Sequence, residues 1–151
     1  MTGKTQTFRA NIDKWHAATN EKIEAFARQV CAEMGEQVVT ETPHDTGFLR
    51  GSWQPSIGEP KSGEATNDPS GKMAISAAAL VAADVKLGDK FYMANNAVYA
   101  KRVEYGFVGE DSLGRKYNQA GRFYVADTVA RFKSVCRKVA RDLKLTGSKG
   151  V

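Results

Sequence analysis

Apolar residues recur at helical spacing near the start of the chain. From Phe8 to Val38 they step by three or four residues, with Thr19 filling the one gap, and this spacing predicts one face of an α-helix. The apolar positions of that face are Phe8, Ile12, Trp15, Ile23, Phe26, Val30, Met34 and Val38. Because Pro43 disfavours helical geometry at the residue before it, the helix should end by about Thr40.

The length of this helix is unusual for a small protein. Some thirty residues at about 1.5 Å per residue would extend about 45 to 50 Å, more than a domain of this size covers by itself. We therefore expect either an interruption at Asn20 or Gly35, or packing of part of the helix on another copy of the chain. Trp15, Phe26 and the more distant Phe132 are expected in the core, since aromatic residues at helical spacing are usually buried.

A second helical pattern lies near the carboxyl end. Six apolar residues step by four and three and should form one stripe of a single helix. They are Val125, Val129, Phe132, Cys136, Val139 and Leu143. Six basic residues should occupy the opposite side, namely Arg131, Lys133, Arg137, Lys138, Arg141 and Lys144. Residues 145–151 should form a frayed tail.

The middle of the chain combines loops with short elements. Asp45, Thr46 and Gly47 are residue types that favour a turn. Residues 48–56 should then be extended, with Trp53 as the largest buried side chain. Pro55 cannot donate a hydrogen bond, so the end of this strand should lie at a sheet edge. Residues 58–72 contain three glycines and two prolines, and we expect a long flexible loop there.

The elements after this loop are shorter. A helix is expected over residues 73–84, with Asp68 and Pro69 as candidate capping residues, and a strand over residues 91–95. Gly106 should end a following short helix as a left-handed cap, and residues 107–119 should form a second loop. The pattern as a whole predicts an α+β fold, in which long N- and C-terminal helices pack on a small antiparallel sheet.

Composition narrows the class of protein. The 151 residues are 42% apolar and 26% charged, with a net charge of +5, as in a soluble globular protein forming a single domain over residues 1–151. No apolar run approaches the roughly 20 residues of a membrane-spanning helix, and the start of the sequence lacks a secretion signal. We expect no membrane association and a protein retained in the cell that makes it, with Cys31 and Cys136 reduced.

Charge is uneven along the chain. Residues 1–40 carry no net charge, residues 41–110 carry −2, and residues 111–151 carry +7, from ten basic and three acidic residues. Attraction to nucleic acid or to an acidic protein should therefore involve the carboxyl end. The alternative is a solvated basic face of the last helix.

The sequence offers little for catalysis. It contains His16, His44 and two isolated cysteines, too few for a zinc site, and none of the glycine-rich phosphate loops or nucleophile elbows. His44 and Asp45 could form half of an acid–base relay, but Asp45 is better explained as a turn former. We expect no enzymatic activity, no metal and no cofactor. The aromatic residues around the loops suit a core and a protein interface better than nucleobase stacking.

Two segments resemble a known family. TPHDTGFLRGSW, residues 42–53, resembles the Pro-x-Asp-Thr-Gly-x-Leu-Arg-x-x-Trp signature of the neck or tail-completion proteins of long-tailed bacteriophages. FYMANNAVYAKRVEYGF, residues 91–107, is similar to the second signature of that family. The matching residues are Pro43, Asp45, Thr46, Gly47, Leu49, Arg50, Trp53, Asn95, Asn96, Tyr99, Ala100, Glu104, Tyr105 and Gly106.

The resemblance implies a function without catalysis. Members of this family are small α+β subunits that assemble into a ring, commonly of six, between the head-side connector or stopper protein and the tail terminator or tail tube. The implied location is the virion neck, assembled in the host bacterial cytoplasm, where the ring lines part of the DNA channel and meets genomic DNA transiently. The rivals are a nucleic-acid-binding module using the basic last helix and a minor tail protein elsewhere on the tail.

One contact between the two signatures is predicted from charge. Arg50 and Glu104 carry opposite charges, one in each segment, and should form a salt bridge that joins the first strand to the short helix. The alternative for Arg50 is a contact with a neighbouring subunit. The loop over residues 58–72 is expected to contact the next ring and to become ordered on assembly.

Overall fold

The computed structural model describes residues 2–44, 47–63 and 66–145, which fold as an α+β protein with two separate two-stranded antiparallel sheets. The helices of the described residues are α1 (Thr2–Glu41), α2 (Phe48–Gly51), α3 (Lys72–Ala82), α4 (Ala100–Tyr105), α5 (Tyr124–Ala130) and α6 (Phe132–Asp142). The strands are β1 (Trp53–Ile57), β2 (Phe91–Asn95), β3 (Gly106–Glu110) and β4 (Lys116–Ala120). The α+β prediction is confirmed. Asp45 and Thr46 of the predicted turn, and residues 146–151 of the tail predicted over residues 145–151, lie outside the described residues.

Helix α1 is continuous, so the first of the two predicted alternatives, an interruption at Asn20 or Gly35, is wrong. Packing of part of the helix on another copy stays a prediction. Gly35 is buried inside the helix, and a Cβ atom there would lie 2.9 Å from the Cβ of Ala78. The missing side chain therefore allows α3 to approach α1 closely. The helix ends at Glu41, one residue beyond the predicted end.

The core lies where the second half of α1 meets the other elements. One buried cluster lies among α1, α2, α3, β1 and α5, and its members are Val38, Val39, Leu49, Trp53, Ala74, Ala97 and Tyr124. A second cluster joins α1 to α6 through Val30, Val135 and Val139. Trp53 is 7% exposed, as expected of the main anchor. By contrast, Trp15 is 67% and Phe132 49% exposed, so the prediction that they lie in the core is wrong.

The strand predicted over residues 48–56 begins later than expected. Gly47 has φ +72°, and its carbonyl accepts the Gly51 N–H over 3.0 Å, so the chain makes one helical turn before β1. This turn directs Leu49 into the core. From Trp53 the chain is extended and pairs with β2, with Trp53 opposite Asn95.

Residues 107–119 form most of a β-hairpin, so the prediction of a loop there is wrong. The Asp111 carboxylate closes the turn by accepting the backbone N–H groups of Leu113 and Arg115, both over 2.9 Å. These bonds hold the pKa of Asp111 below its ordinary value, the Arg115 N–H being the largest cause. The Phe107 and Tyr117 rings lie 5.8 Å apart across the hairpin.

Gly106 ends α4, but its conformation is not the predicted left-handed helical cap. It has φ +83° and ψ 170°, and it begins β3 directly. A residue with a Cβ atom rarely adopts this positive φ. Glycine here therefore turns the chain from helix into strand without a loop.

The predicted last helix is divided into α5 and α6 at Arg131, so the prediction of a single stripe is wrong. The Arg131 N–H donates to the Thr128 carbonyl over 3.1 Å, a three-residue spacing that is tighter than that of an α-helix. Of the six predicted apolar positions, Val139 is fully buried, whereas Val129 is 63% exposed. Thr128 takes a buried position in α5 instead.

The segment before α3 is irregular but makes specific contacts. The N-cap position of α3 is Gly71 rather than Asp68 or Pro69. Asp68 nevertheless caps the helix with its side chain, because its carboxylate accepts the Met73 N–H over 3.0 Å and the Ser70 hydroxyl over 2.6 Å. Both bonds lower the pKa of Asp68, the Ser70 bond more strongly. The described residues 58–63 and 66–71 contain no helix or strand, and their mobility stays a prediction.

Candidate functional site

The two signature segments lie side by side and are bonded to each other. The Asn95 amide Nδ2 donates to the Leu49 carbonyl over 2.7 Å, while its Oδ1 accepts the Ala97 N–H over 3.1 Å. Asn95 therefore joins the end of β2 to the turn that precedes β1. The neighbouring Asn96 donates to the Lys61 carbonyl over 3.0 Å and so holds part of the preceding loop.

Trp53 is the centre of this junction. Its indole Nε1 donates to the Thr42 hydroxyl over 2.8 Å, and that hydroxyl donates to the Val38 carbonyl over 2.6 Å. The Tyr124 ring meets the indole edge-on, with centroids 6.4 Å apart and an interplanar angle of 83°. The Tyr124 hydroxyl donates to the Ala100 carbonyl over 3.3 Å, and burial, with the charge of Glu104, raises the pKa of Tyr124 to about 12.

Arg50 and Glu104 do not form the predicted salt bridge. The Arg50 guanidinium lies over the end of α1 and donates to three backbone carbonyls, those of Thr40 (2.9 Å), Thr42 (2.8 Å from Nη2) and Pro69 (3.1 Å). A guanidinium presents several donors in a fixed fork and can satisfy several acceptors at once. Arg50 therefore joins the end of α1 to the segment before α3 within one subunit.

Glu104 has a different partner. Its side chain is buried, and its two carboxylate oxygens accept the N–H groups of Val125 (2.9 Å) and Ala126 (3.0 Å). These donors belong to the first turn of α5, whose N–H groups have no partner within the helix. The two signature residues chosen for their opposite charges thus bond to backbone groups in two different places.

The remaining signature residues are placed around the same junction. Pro43 is half-buried after the end of α1, and the Tyr99 and Phe48 ring centroids lie 6.0 Å apart. Tyr105 is an exception, since it is 70% exposed. Asp45 and Thr46 lie outside the described residues. Among the others, Arg50, Asn95 and Glu104 make the hydrogen bonds that hold neighbouring helices and strands together.

No group of three or more His, Cys, Asp or Glu side chains in residues 2–44, 47–63 and 66–145 could hold a metal ion. His44 Nδ1 lies 3.4 Å from Arg50 Nη2. In the same part of the chain, no helix has the length and apolar character needed to cross a membrane.

The first half of α1 carries an exposed apolar surface. Residues 3–18, which we call the arm, are all exposed, and buried residues first occur in the second half of the helix, from Val30. At about 1.5 Å per residue the arm is about 24 Å long. Three apolar residues lie along one side of it, Phe8 (63% exposed), Ile12 (48%) and Trp15 (67%). The sequence pattern identified all three residues as one apolar helix face, but it assigned Trp15 to the core.

Two apolar depressions near the opposite half of α1 were not expected from the sequence. One, of about 560 Å³, lies between α1 and α6 and is lined by Phe26, Ser134, Cys136, Arg137, Ala140 and Arg141. The other, of about 280 Å³, is lined by Met34, Val38, Trp53, Phe91, Met93, Val125, Thr128 and Val129. The apolar periodicity of the helices was the only sequence signal for these depressions. Periodicity shows which residues share a helix face, but it does not show which of them are left uncovered by other elements.

The six predicted basic residues are all exposed but divide into two groups. Arg131 forms an ion pair with Glu41 (2.6 Å), and Lys138 forms one with Glu33 (3.1 Å), so these two face α1. Glu33 also raises the pKa of Lys138. The other four have no ion pair among the described residues and are Lys133, Arg137, Arg141 and Lys144.

Comparison with family models, with curated proteins and with solved structures gives no match for this chain.

Proposed function

We propose that this chain is a structural subunit of a tailed bacteriophage, a neck or tail-completion protein whose ring joins the tail to the DNA-filled head. Its partners would be further copies of itself, a head-side connector or stopper protein, and a tail terminator or tail tube protein. The proposal assigns it no catalytic step. It would act in the virion, after assembly in the host cytoplasm.

The observation that carries this proposal is the exposed arm. Phe8 and Trp15 each offer roughly 150 to 250 Å² of apolar surface when extended, and about two thirds of each side chain is exposed. With Ile12, the stripe approaches the few hundred Å² that is typical of interaction surfaces on soluble proteins. Most of the stability of a helix in a protein comes from packing of its apolar face, whereas residues 3–18 are all exposed. A partner that covers the stripe would therefore stabilise the arm.

The sequence resemblance adds the kind of partner. The signature residues bond together the elements around Trp53. The arm and the depression lined by Met34 and Val129 are different surfaces of the same subunit. A ring requires such different surfaces, because each copy must present one patch to the copy before it and another to the copy after it. The arm and the depression lined by Met34, Phe91 and Val129 together are suited to that kind of heterologous contact.

Sedimentation of purified protein over a range of concentrations tests this proposal. We expect rings from the unaltered chain, and monomers when Phe8, Ile12 and Trp15 are all replaced by Ser. The matched control replaces three other exposed apolar residues by Ser, Met73 (65% exposed), Leu80 (73%) and Leu113 (76%), and should still form rings. Monomers at every concentration, or equal loss of assembly in both variants, would contradict the role of the arm.

Virus particles provide the functional test. Host cells infected with phage that lack an intact copy of the gene should accumulate filled heads and tails that are not joined. Adding purified protein to such an extract should restore joined, infectious particles, whereas the arm variant should not. Infectious virus formed without the protein would overturn the proposed function.

A further inference from the structure

We propose that Lys133, Arg137 and Arg141, which we call the basic stripe, contact the phosphate backbone of duplex DNA. This inference rests on the proposed function, which brings genomic DNA past the subunit. It adds which surface of the subunit faces that DNA.

The three residues form a line on one side of α6. They are spaced four residues apart, and at about 100° per residue they fall within about 80° of the helix circumference. The line is about 12 Å long, with a cation about every 6 Å. All three side chains are exposed. Lys144, another exposed cation, follows just beyond the end of the helix.

The tertiary structure separates the stripe from the acidic residues of α1. Lys138 and Arg131 take the ion pairs with Glu33 and Glu41. Asp142, the acidic residue of α6, lies on the Lys138 side, since its charge contributes to the raised pKa of Lys138. The three stripe residues have no Asp or Glu oxygen within 4.0 Å among the described residues. Their charge is therefore available to an external anion.

Duplex DNA suits this geometry better than a compact acidic ligand. It carries about one negative charge per 1.7 Å of its axis, so a straight row of cations can face phosphates along its whole length. The neighbouring apolar depression is lined by Arg137 and Arg141 but not by Lys133. A ligand confined to that depression would leave one end of the stripe unused, whereas a linear polyanion would use all of it.

The test measures how binding of a random-sequence DNA duplex depends on salt. Replacing Lys133, Arg137 and Arg141 by Gln should reduce the slope of log Kobs against log salt by about 2.7, since each phosphate that a cation neutralises adds about 0.9 to that slope. The matched control replaces Lys72, Lys86 and Lys90 by Gln, which removes the same charge from exposed positions outside α6. The control should change the slope by less than about 1.

Other results would overturn the inference. These are undetectable DNA binding by the unaltered chain at low salt, an unchanged slope in the stripe variant, or an equal reduction in the control. Polyglutamate that binds as tightly as DNA of equal charge would also overturn it and would indicate an acidic protein partner.

Sedimentation of the same variants separates this inference from the proposed function. The stripe variant should form rings as the unaltered chain does, because the stripe residues belong neither to the arm nor to the depression lined by Met34 and Val129. If the unaltered chain binds DNA through the stripe but stays monomeric, the proposed function fails and the stripe assignment stands. If rings form but the slope of log Kobs against log salt is the same in the stripe variant, only the stripe assignment fails.

Discussion

Trp53 and Thr42 share a buried hydrogen bond, in which the indole Nε1 donates to the threonine Oγ1 over 2.8 Å. Thr42 is fully buried and Trp53 is 7% exposed. Replacing Thr42 by Val would leave the indole N–H without a partner, and we expect a loss of about 1 to 3 kcal/mol in the free energy of unfolding. Urea denaturation measures this loss.

Measuring the same replacement in a Trp53→Phe chain separates the contribution of this hydrogen bond from packing effects. In a Trp53→Phe chain, which has no indole N–H, the Thr42→Val replacement should cost roughly 1 kcal/mol less, since coupled residues show non-additive effects of that size. Thr42→Ser should retain the bond. Equal costs of Thr42→Val in both backgrounds would show that the bond contributes nothing to stability.

Arg50 and Glu104 should behave as independent residues. Replacing Glu104 by Gln leaves at least one of the two N–H groups at the start of α5 with a poorer partner, and we expect destabilisation of about 1 to 3 kcal/mol. Arg50→Gln should destabilise separately by loosening the end of α1. Because the two side chains bond to different backbone groups, their combined effect should equal the sum within about 0.5 kcal/mol. A larger coupling energy, measured by urea denaturation, would indicate that Arg50 and Glu104 interact directly.

Asp68 should make stability depend on pH. Its pKa in the folded chain is lower than its ordinary value of 3.8, so the folded state favours the carboxylate. Its contribution is therefore complete above that ordinary value and is lost as the pH falls through the lowered pKa. The difference in free energy of unfolding between the unaltered chain and Asp68→Asn should shrink below pH 3.8.

The control for this pH dependence is Asp84→Asn, which changes an exposed carboxylate just beyond the end of α3. Its difference from the unaltered chain should vary less with pH. Urea denaturation from neutral to acid pH provides both curves. A constant difference for Asp68→Asn across the range would exclude the capping interaction as the cause.

Trp15 should report on assembly by fluorescence. In free subunits its indole is 67% exposed, whereas Trp53 is buried, so acrylamide should quench about one of the two emitters efficiently. Covering the arm in a ring should shift the Trp15 emission to shorter wavelength and reduce its quenching. Trp15→Phe identifies the signal, because that chain should show no such change. An emission spectrum independent of protein concentration, in a sample that forms rings, would place the arm outside the contact.

Local signals in the sequence predicted much of the fold. The end of α1, the strand at residues 91–95 and the Asp68 cap depend on residues close together in the chain, and all three are confirmed. Some of the wrong predictions concern residue types that are compatible with two different local structures. The glycines at 109 and 114 suggested a loop, but the Asp111 carboxylate closes a hairpin there.

The Arg50 and Glu104 prediction failed for a related reason. Opposite charges indicate an attraction but do not say which oppositely charged or polar group lies closest in space. The unsatisfied ends of α1 and α5 compete for these two side chains and are nearer. Backbone groups at helix ends cannot be recognised as partners until the relative positions of the helices are known.

The sequence by itself determined where α1, α3 and β2 lie, since backbone propensity, spacing and capping act over a few residues. Only the tertiary structure decided which apolar residues are covered, leaving Trp15 exposed while it buries Trp53, because burial depends on elements that are distant in the chain. It also decided which cations are free, because α1 approaches Arg131 and Lys138 and leaves Arg137 and Arg141 facing outward.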